Sequence, residues 1–249
     1  MEPSLRTLFI SGGTRGIGRA IALREAGKNT LLFLNYLRDE ESAAAVQKEA
    51  ERKGARVVLI QGNVGDPDQV REIFAAVQKE TSRLDQLVHS AALGVFKPVH
   101  QLRVKDWDIS LDVNAKAFLT LTQSALPLMK THGGKIVTIS SLGAQSFIPN
   151  YGAIGISKAA LQDLVRYLAV ELAPFKIGVN AVSGGLIDTD SLGHFPDIES
   201  MKQEALRRTP GGRIGSPDDI AKVVSFLLSP GSDWLYGQTL IADGGYSLF

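Results

Sequence analysis

Ser11-Gly12-Gly13-Thr14-Arg15-Gly16-Ile17-Gly18 is the stretch whose reading decides the fold. It follows an apolar run at 7–11 and opens a helical pattern at 17–26, so its glycines stand where the chain leaves a strand and enters a helix. Glycine tolerates positive φ and allows close backbone approach, and the first amides of a helix present partial positive charge. Such a turn suits the pyrophosphate of a dinucleotide, with Gly12, Thr14, Arg15, Gly16, Ile17 and Gly18 around it and Gly18 also letting helix and strand pack closely. The spacing departs from GxGxxG, and an ordinary glycine-rich loop between strand and helix is the plain alternative.

Outward from this turn, short β-rich runs at 7–11, 30–35, 56–61, 86–90, 135–140, 178–182 and 239–242 alternate with helical patterns at 17–26, 40–53, 68–80, 107–129 and 157–173. This alternation predicts a single α/β domain over 1–249, with a doubly wound, seven-stranded parallel sheet covered by helices on both faces. Gly54, Gly133-Gly134 and Pro174 fall near helix ends, and Pro67 can start a helix. The stretch 192–213, with Gly193, Pro196, Pro210 and Gly211-Gly212, breaks the pattern and reads as a lid over about 190–213. Its Leu192, Phe195, Ile198 and Met201 could cover an acyl chain or simply pack against the body.

The chain has 249 residues, 44% of them hydrophobic, enough for one large core. Its 27 basic and 26 acidic residues nearly cancel, which argues against nucleic acid or an anionic membrane as partner. The absence of cysteine excludes disulfides and thiolate metal sites, and four dispersed histidines suggest no metal centre. Without a secretion signal or an apolar run of roughly 20 residues, a cytoplasmic location is expected. Gly155-Ile156-Ser157-Lys158-Ala159 only partly imitates a hydrolase nucleophile elbow and sits inside a helical pattern.

At 35–38, Asn-Tyr-Leu-Arg lacks the acid that would bind both ribose hydroxyls of NAD, so NADPH is expected. Arg15 and Arg38 could converge on a 2′-phosphate, although Arg38 also fits the solvated start of a helix. Asn63-Val64 could meet adenine, or Asn63 could simply form a turn. Tyr151 and Lys158 are seven residues apart, and a helix beginning near Tyr151 would put both on one face. A phenol beside an ammonium can donate to an oxygen that gains charge during hydride transfer.

In order along the chain, the glycine turn, Asn114, Ser141, Tyr151, Lys158 and the terminal Asp243-Gly244-Gly245 resemble the short-chain dehydrogenase/reductase superfamily. The turn has that family's TGxxxGxG form with Ser11 in place of threonine. Most members carry tyrosine four residues before lysine, where this chain has Ile154. Tyr151 lies one turn earlier, as in type III enoyl-acyl-carrier-protein reductases, which Ser140-Ser141-Leu142-Gly143 and 182–190 also resemble. The resemblance implies a Rossmann fold and NADPH-dependent reduction of the C2=C3 bond of a trans-2-enoyl thioester carried on acyl-carrier protein or coenzyme A.

It also implies roles. Tyr151 would support the enolate, and Lys158 would bind the nicotinamide ribose. Ser141 would help with the carbonyl or cap the fifth strand, and Asn114 would keep a water path to lysine or serve as a buried structural amide. Ile187 and Thr189 would meet the nicotinamide and a phosphate, and Ser90 and Ala91 would contribute backbone. His89-Ser90-Ala91-Ala92 departs from the family's Asn-Asn-Ala-Gly, and Gly184-Gly185 from its Pro-Gly. A homotetramer built on the long helices and the last strand is expected. Carbonyl reduction, on 3-oxoacyl or small-ketone substrates, and a non-catalytic dinucleotide-binding regulator are the alternatives.

Overall fold

The computed structural model describes residues 5–194 and 198–248. Seven strands, β1 (Arg6–Ser11), β2 (Thr30–Tyr36), β3 (Arg56–Gln61), β4 (Gln86–His89), β5 (Gly134–Ser141), β6 (Ile177–Gly184) and β7 (Thr239–Ala242), form one sheet in the order 3-2-1-4-5-6-7. Every pairing is parallel. The inner strands are buried on both faces, while the edge strands β3 and β7 are partly exposed, and successive residues serve opposite sides. Phe9, Leu31 and Phe33 join the core under one helical layer, while Leu8, Ile10, Leu32 and Leu34 join the other.

The helices are α1 (Gly16–Glu25), α2 (Glu40–Arg52), α3 (Pro67–Glu80), α4 (Val104–Leu111), α5 (Ala117–Met129), α6 (Gly152–Leu172), α7 (Ile198–Arg208) and α8 (Pro217–Leu228). Their starts follow local chemistry. Asp39 caps α2 by accepting from the Ser42 amide, and Asp66 and Pro67 open α3. Ser216 and Asp219 form a reciprocal capping box on α8, a helix that the list of helical patterns did not include.

Three expectations need correction. The segment expected as one helix at 107–129 begins at Val104 and is interrupted by a π-turn at Asp112–Lys116, which separates α4 from α5. Such turns are frequent at functional sites. The helix expected at 157–173 begins at Gly152, because Asn150 takes a left-handed conformation that delivers the chain into the first turn. The stretch 192–213 contains ordered structure, a 3-10 turn at Asp190–His194 and then α7, whose Ile198, Met201 and Ala205 recur at helical spacing. Within it Leu192 is buried, while Phe195 and Pro196 lie outside the described residues. Among the described residues, no helix is long and apolar enough to cross a membrane.

Candidate active site

The strand order reverses direction at the junction of β1 and β4, and in open parallel sheets the crevice for a ligand lies beyond the carboxyl ends of the strands at such a point. The glycine turn occupies that place. A Cβ on Gly12 would stand 2.9 Å from the Cα and N of Ala91, and one on Gly18 would stand 2.0 Å from the Gly12 carbonyl oxygen. The turn is therefore pressed between α1 and the loop after β4. Replacing Gly18 with alanine forces backbone to move, and an overpacking cost of about 1–3 kcal/mol is expected. Thermal unfolding checks this: Tm should fall by several degrees, and an unchanged Tm would mean that the turn yields freely.

A cleft of about 170 Å³ opens beside the turn, lined by Thr14, Arg15, Gly16, Arg19, Ser42 and Asp190 among others. Helix-start amides, hydroxyls and two guanidinium groups suit an anionic nucleotide, so the residues present fit a dinucleotide. Arg19 and Ser42 were not foreseen; their signal was position, one turn into α1 and α2. Arg38 is exposed at the surface two residues before α2 begins. Arg15 stands 3.9 Å from Asp39, whose carboxylate is engaged by the Ser42 amide at 2.9 Å and the Ser42 hydroxyl at 2.8 Å. Those hydrogen bonds keep Asp39 ionised below the usual carboxylate range.

Asn63 forms a turn: its Oδ1 accepts from the Gly65 amide at 3.0 Å while its own amide donates to Gln69. Val64 is a core residue, so only its backbone is available there. Ile187 makes an isolated bridge to Gly215 through the Leu186 carbonyl and the Asp188 amide. That geometry turns the Ile187 N–H away from Gly215, and Thr189 reaches to 3.5 Å of a Cβ placed on Gly16. The amides of Ser90 and Ala91 both donate to Ser11 Oγ, at 3.2 and 3.3 Å, so the backbone contact expected at Ser90 and Ala91 narrows to their carbonyls.

Beyond the nucleotide turn, Tyr151 is the N-cap residue of α6 and its phenol hydrogen-bonds with Ser141. Burial pushes that phenol above its ordinary value, and the Ser141 hydrogen bond opposes the rise. The tyrosine ring lies 6.0 Å from that of Phe96 and against Gly143, where a Cβ would come within 2.5 Å of it. Ser141 Oγ also accepts from the Gly143 amide at 3.2 Å, which is the capping part expected of it. Ile154, at the position where most relatives carry tyrosine, is buried with its Cγ1 only 2.2 Å from where a Cβ on Gly94 would stand.

Lys158 is 4% exposed and donates to the Ile139 carbonyl of β5 at 2.7 Å. Burial alone lowers its ammonium to about 8. Asn114 lies within the π-turn, and its side chain is a clamp: Oδ1 accepts from the Leu93 amide, and Nδ2 donates to the Leu93 carbonyl and to Ser157 Oγ, at 2.9, 2.9 and 2.8 Å. The structural reading of this amide holds for the side chain, and only its backbone remains for a path to lysine. Leu93 and Ser157 had no mark in the sequence as its partners. Among the described residues, no group of three His, Cys, Asp or Glu could hold a metal.

Comparison with known proteins converges on one family. The profile described as enoyl-(acyl carrier protein) reductase matches residues 12–247. The 1-cyclohexenylcarbonyl-CoA reductase of Streptomyces collinus is 39% identical over 242 residues, 96% of this chain and 86% of that protein. The 3-oxoacyl-[acyl-carrier-protein] reductase of Staphylococcus aureus is 32% identical over 96% of this chain and 97% of its own. A putative short-chain alcohol dehydrogenase from Sinorhizobium meliloti superposes with a TM-score of 0.92 at 30% identity, covering 99% and 98% of the two chains. A parallel sheet that reverses at β1 and β4, a glycine turn at that junction and relatives matched end to end place this chain in the short-chain dehydrogenase/reductase superfamily of nicotinamide-dinucleotide oxidoreductases, with resemblance to its enoyl-acyl-carrier-protein reductases.

Proposed function

We propose that this chain is a cytoplasmic NADPH-dependent reductase of trans-2-enoyl thioesters carried on acyl-carrier protein or coenzyme A. The observation that carries the reading is the tyrosine placement: Tyr151 caps α6 beside Ser141, while Ile154 is buried against Gly94. The names of the Streptomyces and Staphylococcus relatives, which both concern acyl thioesters, support the substrate class.

In this reading the bound dinucleotide supplies a hydride to the β-carbon. Tyr151, kept protonated by burial, donates a hydrogen bond to the thioester oxygen, and the bond strengthens as that oxygen becomes an enolate. Ser141 fixes the phenol from the side, and protonation of the α-carbon completes the reduction. Lys158 holds the ribose hydroxyls, anchored through the Ile139 carbonyl. Asn114 ties the π-turn to α6 and to the loop after β4, so that lysine and cofactor keep one geometry. Leu192, Ile198 and Met201 of the lid approach the acyl chain. Arg15, with Arg19 beside it, takes the 2′-phosphate, which is the ground for NADPH over NADH. A homotetramer is supported by apolar side chains left in solvent on α6 (Tyr167, Val170) and around β7 (Trp234, Ile241).

Stopped-flow oxidation of NADPH and of NADH with crotonyl and acetoacetyl thioesters tests both choices. The expected result is turnover of the crotonyl thioester with NADPH preferred. Turnover of the acetoacetyl thioester alone would make the chain a carbonyl reductase, as the Staphylococcus relative's name suggests.

A further inference from the structure

His89 is fully buried, and none of the roles above uses it. It ends β4 and is the register partner of Ser11 at the end of β1, so the pair stands at the junction where the sheet reverses. Its Nδ1 lies 2.8 Å from Ser11 Oγ, its ring stacks on Phe118 with centroids 5.9 Å apart, and its Nε2 meets no hydrogen-bond partner.

The surroundings of the Ser11 hydroxyl favour one tautomer. A hydroxyl has one hydrogen and two lone pairs. The Ser90 amide, which is shared with the Ser11 carbonyl at 3.2 Å, and the Ala91 amide both point at the Ser11 Oγ lone pairs. The arrangement that serves all of these groups sends the hydroxyl hydrogen to Nδ1 and leaves the proton of a neutral ring on Nε2. Burial and the Lys158 charge keep the ring neutral by lowering it to about 3, and Lys158 is the charged group that bears on it. The backbone carbonyls of Val113 and Asn114 act in the opposite sense. With Nδ1 committed to Ser11, Nε2 is left on the side of those π-turn carbonyls without a hydrogen bond of regular geometry to them.

We propose that His89 is a positioning residue for the dinucleotide cleft: a neutral Nε2–H imidazole that orients the Ser11 hydroxyl to clasp the amides of Ser90 and Ala91 against the glycine turn. The clasp matters because the Ala91 backbone packs on Gly12, where a Cβ would already be 2.9 Å away. Any shift of residues 90 and 91 is felt at the phosphate turn. Asn114 pins the same loop from its other end, at Leu93, so the two buried side chains hold one wall of the cleft between them. This inference rests on the dinucleotide reading of the site.

Two measurements test it, one of them without cofactor. Long-range proton–nitrogen spectra of the unliganded protein should show one histidine neutral with its proton on Nε2 from pH 5 to pH 8; a proton on Nδ1, or titration of all four histidines in that range, overturns the proposal. Fluorescence titration then gives Kd for NADPH. His89→Phe, which keeps a ring against Phe118 but has no Nδ1, should raise Kd about tenfold, or 1.4 kcal/mol. Ser11→Ala should do the same, the double variant should be no worse than either single one, and His89→Asn should recover most of the loss. Unchanged Kd in His89→Phe, or effects that multiply in the double variant, would overturn it. Failure of the unaltered protein to bind NADPH would instead strike the cofactor reading, and the histidine spectra would still decide the tautomer.

Discussion

Tyr151→Phe is expected to lower kcat for a crotonyl thioester by about 10²–10⁴-fold, the range associated with losing a positioned proton or hydrogen-bond donor. The phenol oxygen is the only atom removed. The ring keeps its neighbours, Phe96 at 6.0 Å and the Gly143 backbone, so the fold and the dinucleotide cleft should be undisturbed. Loss should therefore appear in kcat with little change in Tm or in Kd for NADPH, because the interaction strengthens only as the thioester oxygen gains charge. Steady-state kinetics and a melting curve on the same preparation check it. Activity within twofold of the unaltered enzyme would remove Tyr151 from the proposed chemistry.

The second large effect concerns stability. Lys158 has an ordinary value of 10.5 and is brought to about 8 by burial, which at 1.36 kcal/mol per pH unit sets about 3 kcal/mol against folding at neutral pH. Lys158→Met keeps the length of the side chain and removes the charge. It also leaves the Ile139 carbonyl without its donor, a cost of about 1 kcal/mol, so a net gain of about 2 kcal/mol is expected. For a chain of this size that is a rise in Tm of roughly 4–8 °C, accompanied by loss of activity. The sign also fixes a pH dependence. Between pH 8 and 10.5 the unfolded chain binds the proton and the folded chain does not, so the unaltered protein gains stability as pH rises through that window. The gap in Tm between the two proteins should shrink from pH 7 to pH 10. A variant that melts lower than the parent at pH 7 would show that the bond to Ile139 outweighs the burial of charge.

The sheet was legible because parallel strands buried on both faces are written as short continuous apolar runs, as at 7–11, 30–35 and 178–182, which fall within β1, β2 and β6. The start of α6 followed from the Tyr151–Lys158 spacing and not from apolar period, and the π-turn was not legible. Hydrophobic period reports a helix, but it reports neither where a left-handed Asn150 launches it nor where Asp112–Lys116 adds a residue to one turn. In α7, Gly193, Pro196 and Pro210 read as breakers inside an irregular stretch, whereas the helix lies between them and they flank it. At the candidate site, residues set by local chain direction, such as Gly12 and Tyr151, could be named from spacing. Those that depend on a distant strand could not: the partnership of Ser11 with His89 spans 78 positions and is created only by the β1–β4 register.

The packing of Ile154 on Gly94 bears on which exchanges the loop after β4 can accept. A Cβ on Gly94 would stand 2.2 Å from Ile154 Cγ1, so any side chain at 94 would have to push aside either Ile154 or the loop that Asn114 clamps at Leu93. Glycine at 94 is what lets the loop after β4 lie against the first turn of α6, between Tyr151 and Lys158 in the sequence. Positions 94 and 154 are thus sterically linked, and enlarging the first carries its cost through the second into the wall of the candidate site.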